Sequence, residues 1–123
     1  MKFVDVGIIT EQVAVLAEFY ETILQTKAVG DEVHTEVKIN GIGLAIYSRQ
    51  AAERDMGFDF SQHWGAGNFT LGFNVDDVDA EYGRLKALNV EFVALPTTYP
   101  WGARSMHFRD PDGNIVCFRS MLS

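Results

Sequence analysis

Apolar and polar residues along this chain alternate first with the period of a strand and then with that of a helix, and the sequence of switches occurs twice. Val4 to Ile9 reads as a strand; Val13, Leu16, Tyr20, Ile23 and Leu24 then recur at the spacing of one helix face. Val33 to Ile39 and Ile42 to Tyr47 follow as strands joined by Asn40-Gly41, a pair suited to the left-handed turn of a hairpin. The order begins again with a strand at Phe69 to Val75. Asp76 is the expected N-cap of a second helix with the apolar face Val78, Tyr82, Leu85 and Leu88, and Asp77 and Asp79 complement its dipole. Strands at Val90 to Ala94, Arg104 to Arg109 and Ile115 to Arg119 close the series.

The halves superpose at one offset. Gly7 and Gly72 are 65 residues apart, as are Val13 and Val78, and the same shift puts Val6 on Leu71, Ile8 on Phe73 and Tyr20 on Leu85. A large offset that occurs once implies a duplicated module and not a solenoid. The predicted architecture is α+β: one domain over residues 1–123, built from βαβββ modules at 1–48 and 68–123 with a connecting loop at 49–67. That loop lacks a clear period and carries Met56, Phe58, Phe60, His63 and Trp64. Loops of this length in compact domains tend to be functional, so it is expected either to act as a lid or subunit-crossing segment or to pack its aromatics on the core.

Composition narrows the class. A chain of 123 residues, 47% hydrophobic and 22% charged, matches an ordinary globular domain with enough apolar surface for a core. No apolar run approaches the roughly 18 residues of a membrane span, and Asp5 interrupts the apolar N-terminus where a secretory signal would be continuous. With a single cysteine, these features lead to the expectation of a cytoplasmic protein without membrane contact, in which the Asn68-Phe69-Thr70 sequon is fortuitous. Seventeen acids against 10 bases leave a formal charge of −7 with no basic cluster, which argues against nucleic acid as partner. Such a field suits a neutral or cationic ligand, and it also serves solubility alone. Gly65-Ala66-Gly67 lacks the third glycine and the lysine of a phosphate loop, which excludes nucleotide binding of that kind.

Asp110-Pro111-Asp112-Gly113-Asn114 is a turn between strands: proline presets φ, Asp110 can accept from the backbone two residues on, and Gly113 supplies a positive φ. Together with Phe19-Tyr20, Val75-Asp76-Asp77-Val78-Asp79 and Pro100-Trp101-Gly102 with Arg104, this turn gives the chain its likeness to a known family. It resembles the vicinal oxygen chelate superfamily, which includes glyoxalase I, the bleomycin-resistance proteins, extradiol dioxygenases and fosfomycin-resistance enzymes. The resemblance implies a curved mixed sheet around a cleft and a homodimer. In metal-using members it implies ligands on the first and fourth strands of each module. Carried onto this chain, those positions are Asp5, about Ser48, Thr70 and Cys117. Only Asp5 is a usual strong ligand for a hard cation, so neither a metal nor another cofactor is expected.

Each candidate has two readings. Asp5 either holds a cationic or hydroxylated ligand, or acts as a base, or simply ends a strand. Cys117 is a reactive thiol, with Arg119 on the same strand face, or a small buried hydrophobe. Trp101 is a stacking platform or closes a core or dimer interface, and Arg104 receives an anionic group or pairs with Asp110 or Asp112. His34, His63 and His107 lack the close spacing of a helix-borne metal site. The expected ligand-binding set is Asp5, Ile46, Ser48, Thr70, Gly72, Trp101, Arg104 and Cys117, with Phe58, Phe60 and Trp64 as apolar walls. The leading expectation is a metal-independent binder that sequesters a small molecule, as bleomycin-resistance-type members do. The alternatives are a lyase, isomerase or dioxygenase that uses a non-standard metal site or Asp5 as general base, and a structural dimer with a self-filled cleft.

Overall fold

The computed structural model describes residues 3–65 and 69–122. Ala66, Gly67 and Asn68, on which the phosphate-loop and sequon readings turn, lie outside the described residues. The chain divides into two compact units, Met1–Trp64 and Gly65–Ser123.

In the first unit the order is β1 (Asp5–Thr10), α1 (Val13–Leu24), β2 (Val29–Gly30), β3 (His34–Ile39), β4 (Ile42–Ser48) and α2 (Arg49–Met56). The sheet runs β1-β4-β3-β2, with β4 parallel to β1 and antiparallel to β3. The expected Asn40-Gly41 turn is present, both residues having positive φ at 52° and 80°. Helix α1 packs on β3 and β4 through Val13, Leu16, Tyr20 and Ile23, all buried. Opposite them, Ile8, Thr35, Val37, Leu44 and Ile46 alternate along their strands into the same layer.

The segment 49–67 departs from the expected loop, because its first half is helix α2. Ser48 caps it by accepting from the Ala51 N–H at 3.2 Å, and Gly57 ends it in the left-handed region at φ 67°. Beyond the helix, Phe60 packs edge-on to both Phe58 and Trp64, and the Arg49 guanidinium lies 4.2 Å from the Trp64 ring centroid.

The second unit repeats the plan: β5 (Thr70–Asn74), α3 (Val78–Lys86), β6 (Glu91–Tyr99), β7 (Ala103–Arg109) and β8 (Ile115–Met121), in the sheet order β5-β8-β7-β6. The N-cap is Asp77 and not Asp76: the Asp77 carboxylate accepts from the Ala80 N–H at 3.1 Å, which starts the helix one residue later than expected. Strand β6 runs to Tyr99, beyond the expected end at Ala94, with register shifts on either side of Ala94. It is an edge strand and carries Pro96, a residue that blunts unwanted pairing. The core between α3 and the sheet is aromatic: Phe108 meets Phe118 edge-on at 5.1 Å, and Tyr82 and Phe92 extend the stack.

The β7–β8 turn has the predicted chemistry. Asp110 Oδ1 accepts from the backbone N–H of Asp112 and of Asn114, both at 2.9 Å, and Oδ2 accepts from Asn114 Nδ2 at 2.8 Å. Gly113 sits at φ 91°. Asp110 is buried and the three bonds are partly buried, so removing its carboxylate leaves those donors without their acceptor. Asp110→Ala is expected to lower unfolding free energy by about 2–3 kcal/mol in urea titrations, and Asp110→Asn, which retains one acceptor oxygen, by less. A loss under about 0.5 kcal/mol for the alanine variant would show that the turn holds without this side chain.

Candidate functional site

In each unit the helix covers one sheet face, and strand alternation decides which side chains lie on the other. On the first sheet the face away from α1 carries Asp5, Gly7 and Ile9 from β1, Gly43, Ala45 and Tyr47 from β4, and His34, Glu36 and Lys38 from β3. Contacts at Gly43 tie these together: a Cβ built there would lie 2.7 Å from Glu36 Oε2 and 3.5 Å from Asp5 Cβ. A Cβ at Gly7 meets nothing within 4 Å, so the floor beside Asp5 is bare backbone with open space above. Toward the far end of the sheet, His34 and Tyr47 are register partners with ring centroids 5.7 Å apart.

Two expected site residues belong elsewhere. Ile46 is fully buried on the α1 side, one position out of phase with Ala45 and Tyr47. Ser48 shares that phase, pairs with the buried Thr10, and uses its hydroxyl as the α2 cap.

On the second sheet the face away from α3 carries Thr70, Gly72 and Asn74 from β5, Cys117 and Arg119 from β8, and Ser105 and His107 from β7. Gly72 and Cys117 are register partners. Cys117 is only 4% exposed, and Arg119 follows it two residues on along the same face. Burial raises the thiol above its usual range, and the nearby Arg119 guanidinium offsets this only in part. Arg104 lies on the opposite face. Its guanidinium pairs with Asp79 of α3 through two 2.8 Å hydrogen bonds and donates to Thr98 Oγ1 at 3.0 Å, and this pairing holds the Asp79 carboxyl below its usual range. The ion pair expected with Asp110 or Asp112 is thus made with Asp79, because β7 alternation turns Arg104 toward α3. Trp101 occupies the β6–β7 turn at 70% exposure and stacks on Tyr99, centroids 4.6 Å apart and planes within 8°.

The registers also correct the mapping between modules. Gly7 pairs with Ala45 as Gly72 pairs with Cys117, so Cys117 answers to Ala45 and not to Ser48. The shift between those two is 117 − 45 = 72 residues, larger than the shift of 65 between the glycines, because β6 has nine residues where β2 has two. For the metal that the resemblance implies, the first module therefore offers one carboxylate and a methyl group. The second offers a neutral hydroxyl and a thiol that burial keeps protonated. That donor set does not fit a hard divalent cation. Among the described residues no group of three or more His, Cys, Asp or Glu side chains is placed to hold a metal ion.

Repeated βαβββ units, each with a helix on one sheet face and a mixed small, polar face on the other, define a class, and sequence comparison fixes it. The chain belongs to the Glyoxalase/Bleomycin resistance protein/Dioxygenase superfamily, whose model matches residues 2–118. Its fold is similar to a glyoxalase/bleomycin resistance protein/dioxygenase family enzyme from Burkholderia phytofirmans PsJN, with a TM-score of 0.86, 18% identity and coverage of 99% of this chain and 100% of that one. A glyoxalase/bleomycin resistance protein/dioxygenase from Nocardioides aligns at a TM-score of 0.84 and 23% identity over 100% of this chain and 85% of that one. Lactoylglutathione lyase from Agrobacterium tumefaciens aligns at 0.77 and 21% identity over 97% and 92%. In sequence, 55 residues are 42% identical to the uncharacterized protein YraH of Bacillus subtilis (strain 168), a match that spans 44% of this chain and 43% of that protein. Among the described residues no helix is long and apolar enough to cross a membrane.

The state of Cys117 gives a prediction. A raised folded-state thiol contributes stability that is intact below its unfolded value and lost as pH rises through the folded one. Native protein at neutral pH is expected to react with iodoacetamide at least roughly tenfold more slowly than the urea-unfolded chain. Wild type should also lose more stability than Cys117→Ala above the ordinary thiol range. Equal labelling rates in the native and unfolded states would contradict the buried, protonated thiol.

Proposed function

We propose that this protein binds a small neutral or cationic organic molecule on the α1-free face of its first sheet, and holds it without a metal. The observation that carries this reading is the open space above Gly7 beside the Asp5 carboxylate. Gly7, Gly43 and Ala45 make a floor of backbone and one methyl group, against which a flat or slender ligand can lie close. The Glu36 carboxylate and Asp5 Cβ both lie close to Gly43, and the Tyr47 ring lies farther along the same face, which together favour a positive group over a negative one. The ion pair of the half-buried Glu36 with the exposed Lys38, 3.7 Å long, is weak enough to open for a ligand. Sequestration needs only this complementarity, whereas the metal chemistry of relatives needs donors that Ala45, Thr70 and Cys117 do not supply.

The test is a panel of cationic, neutral and anionic small molecules read by thermal unfolding. A ligand at a hundred times its Kd stabilises the folded state by about 2.7 kcal/mol, a shift of several degrees. Gly7→Leu, which fills the open space at a position of ordinary φ, is expected to abolish the response to the best cationic hit, and Asp5→Asn to weaken its binding roughly fivefold. Hits that are uniformly anionic, or a response untouched in Gly7→Leu, would contradict the reading.

A further inference from the structure

The second sheet carries the opposite charge on its helix-free face. Among the described residues five arginines are tied to carboxylates: Arg49 to Glu11 and Glu53, Arg54 to Asp55, Arg84 to Glu81, Arg104 to Asp79 and Arg109 to Glu91. Arg119 is the exception. In a chain of net charge −7 it is exposed, with no carboxylate partner among the described residues.

The guanidinium of Arg119 is nonetheless held in place. It lies over Gly72, where a Cβ would stand 3.2 Å from Nη2 and 3.4 Å from both Cζ and Nη1, so a side chain there would press the group a few tenths of an ångström away from the sheet. It also lies near enough to the Cys117 thiol for its charge to offset part of the effect of burial there. Its register partners on the same face, Asn74 and Ser105, are neutral polar residues, and Thr70 and His107 lie farther along that face. The acid that the register adds on this face, Glu91, is already paired with Arg109, 3.1 Å away. A planar, exposed guanidinium seated on backbone and bordered by hydroxyl and amide groups is the complement of a carboxylate, which it can grip through two parallel hydrogen bonds.

We propose that Arg119, seated on Gly72, is the anchor for the carboxylate of a small organic ligand on the second sheet. The assignment goes beyond the first-sheet reading and does not depend on it. The benzoate response below is read at Arg119 and the cation response at Asp5 and Gly7, so the failure of one is distinguishable from the failure of the other.

Benzoate is the probe, followed by NMR at the Arg119 Nε–H and at the Gly72 and Cys117 amides. Phenylphosphonate and benzyl alcohol serve as comparison arms. Wild type is expected to show saturable shifts at these three groups with benzoate, and none with benzyl alcohol. Arg119→Gln should weaken binding by roughly tenfold or more, and Arg119→Lys, which keeps the charge and loses the fork, by several-fold. Absence of saturable shifts, shifts unchanged in Arg119→Gln, or equal response to benzyl alcohol would overturn the proposal. Binding of phenylphosphonate with benzoate silent would overturn the carboxylate assignment.

Discussion

The fourth strand of each module returns to lie parallel beside the first, and the register of that pairing governs the rest. Parallel neighbours need a long crossover, and in the first module it is made by the helix and the two strands between, over residues 11–41. Because side chains alternate along a strand, the pairing of Gly7 with Ala45 and of Gly72 with Cys117 fixes which residues enter the helix-packed core and which remain for ligands. A slip of one residue would expose Ile46 and bury Tyr47. The buried side pins the register: Tyr20, Ile46, Phe108 and Phe118 are almost wholly removed from water, and burying each such side chain is worth about 1.5–3 kcal/mol.

With the core committed to one face, the other is free to vary. Duplication has produced two such faces on one scaffold, and they have diverged in charge. The first gathers Asp5 and Glu36 near glycine and alanine; the second seats Arg119 on Gly72 above a protonated thiol. Gly7 and Gly72 hold matched places but serve different ends. The first leaves open space, and the second accommodates a guanidinium.

Local chemistry made much of the fold legible. The Asn40-Gly41 hairpin, the Asp110 turn and the apolar faces of α1 and α3 follow from turn propensity and periodicity over short windows. Helix α2 escaped because it is short and highly charged, with Ala51 and Ala52 its only buried residues among those described. The Ser48 cap and Gly57 were the available signals. Strand β2 is two residues long and left no periodicity to read. The site was less legible than the fold for one reason: facing depends on long-range register. Asp5, Thr70 and Gly72 fell on helix-free faces because the internal repeat ties the first strand of one module to that of the other, and Cys117 because it follows the Asp110 turn at a short fixed distance. Ile46, Ser48 and Arg104 did not, since neither the length difference between β2 and β6 nor the partner of Arg104, 25 residues away at Asp79, is visible in a local window.

The proposed metal-free binding rests on Ala45 and Cys117 at equivalent register positions and on Thr70 opposite neither a carboxylate nor an imidazole. The most direct measurement is elemental analysis of protein purified without chelator, repeated after dialysis against Mn, Fe, Ni and Zn salts. The account predicts well below about one equivalent of any of them per chain, unchanged in Asp5→Ala. Stoichiometric metal that is lost in Asp5→Ala would contradict it.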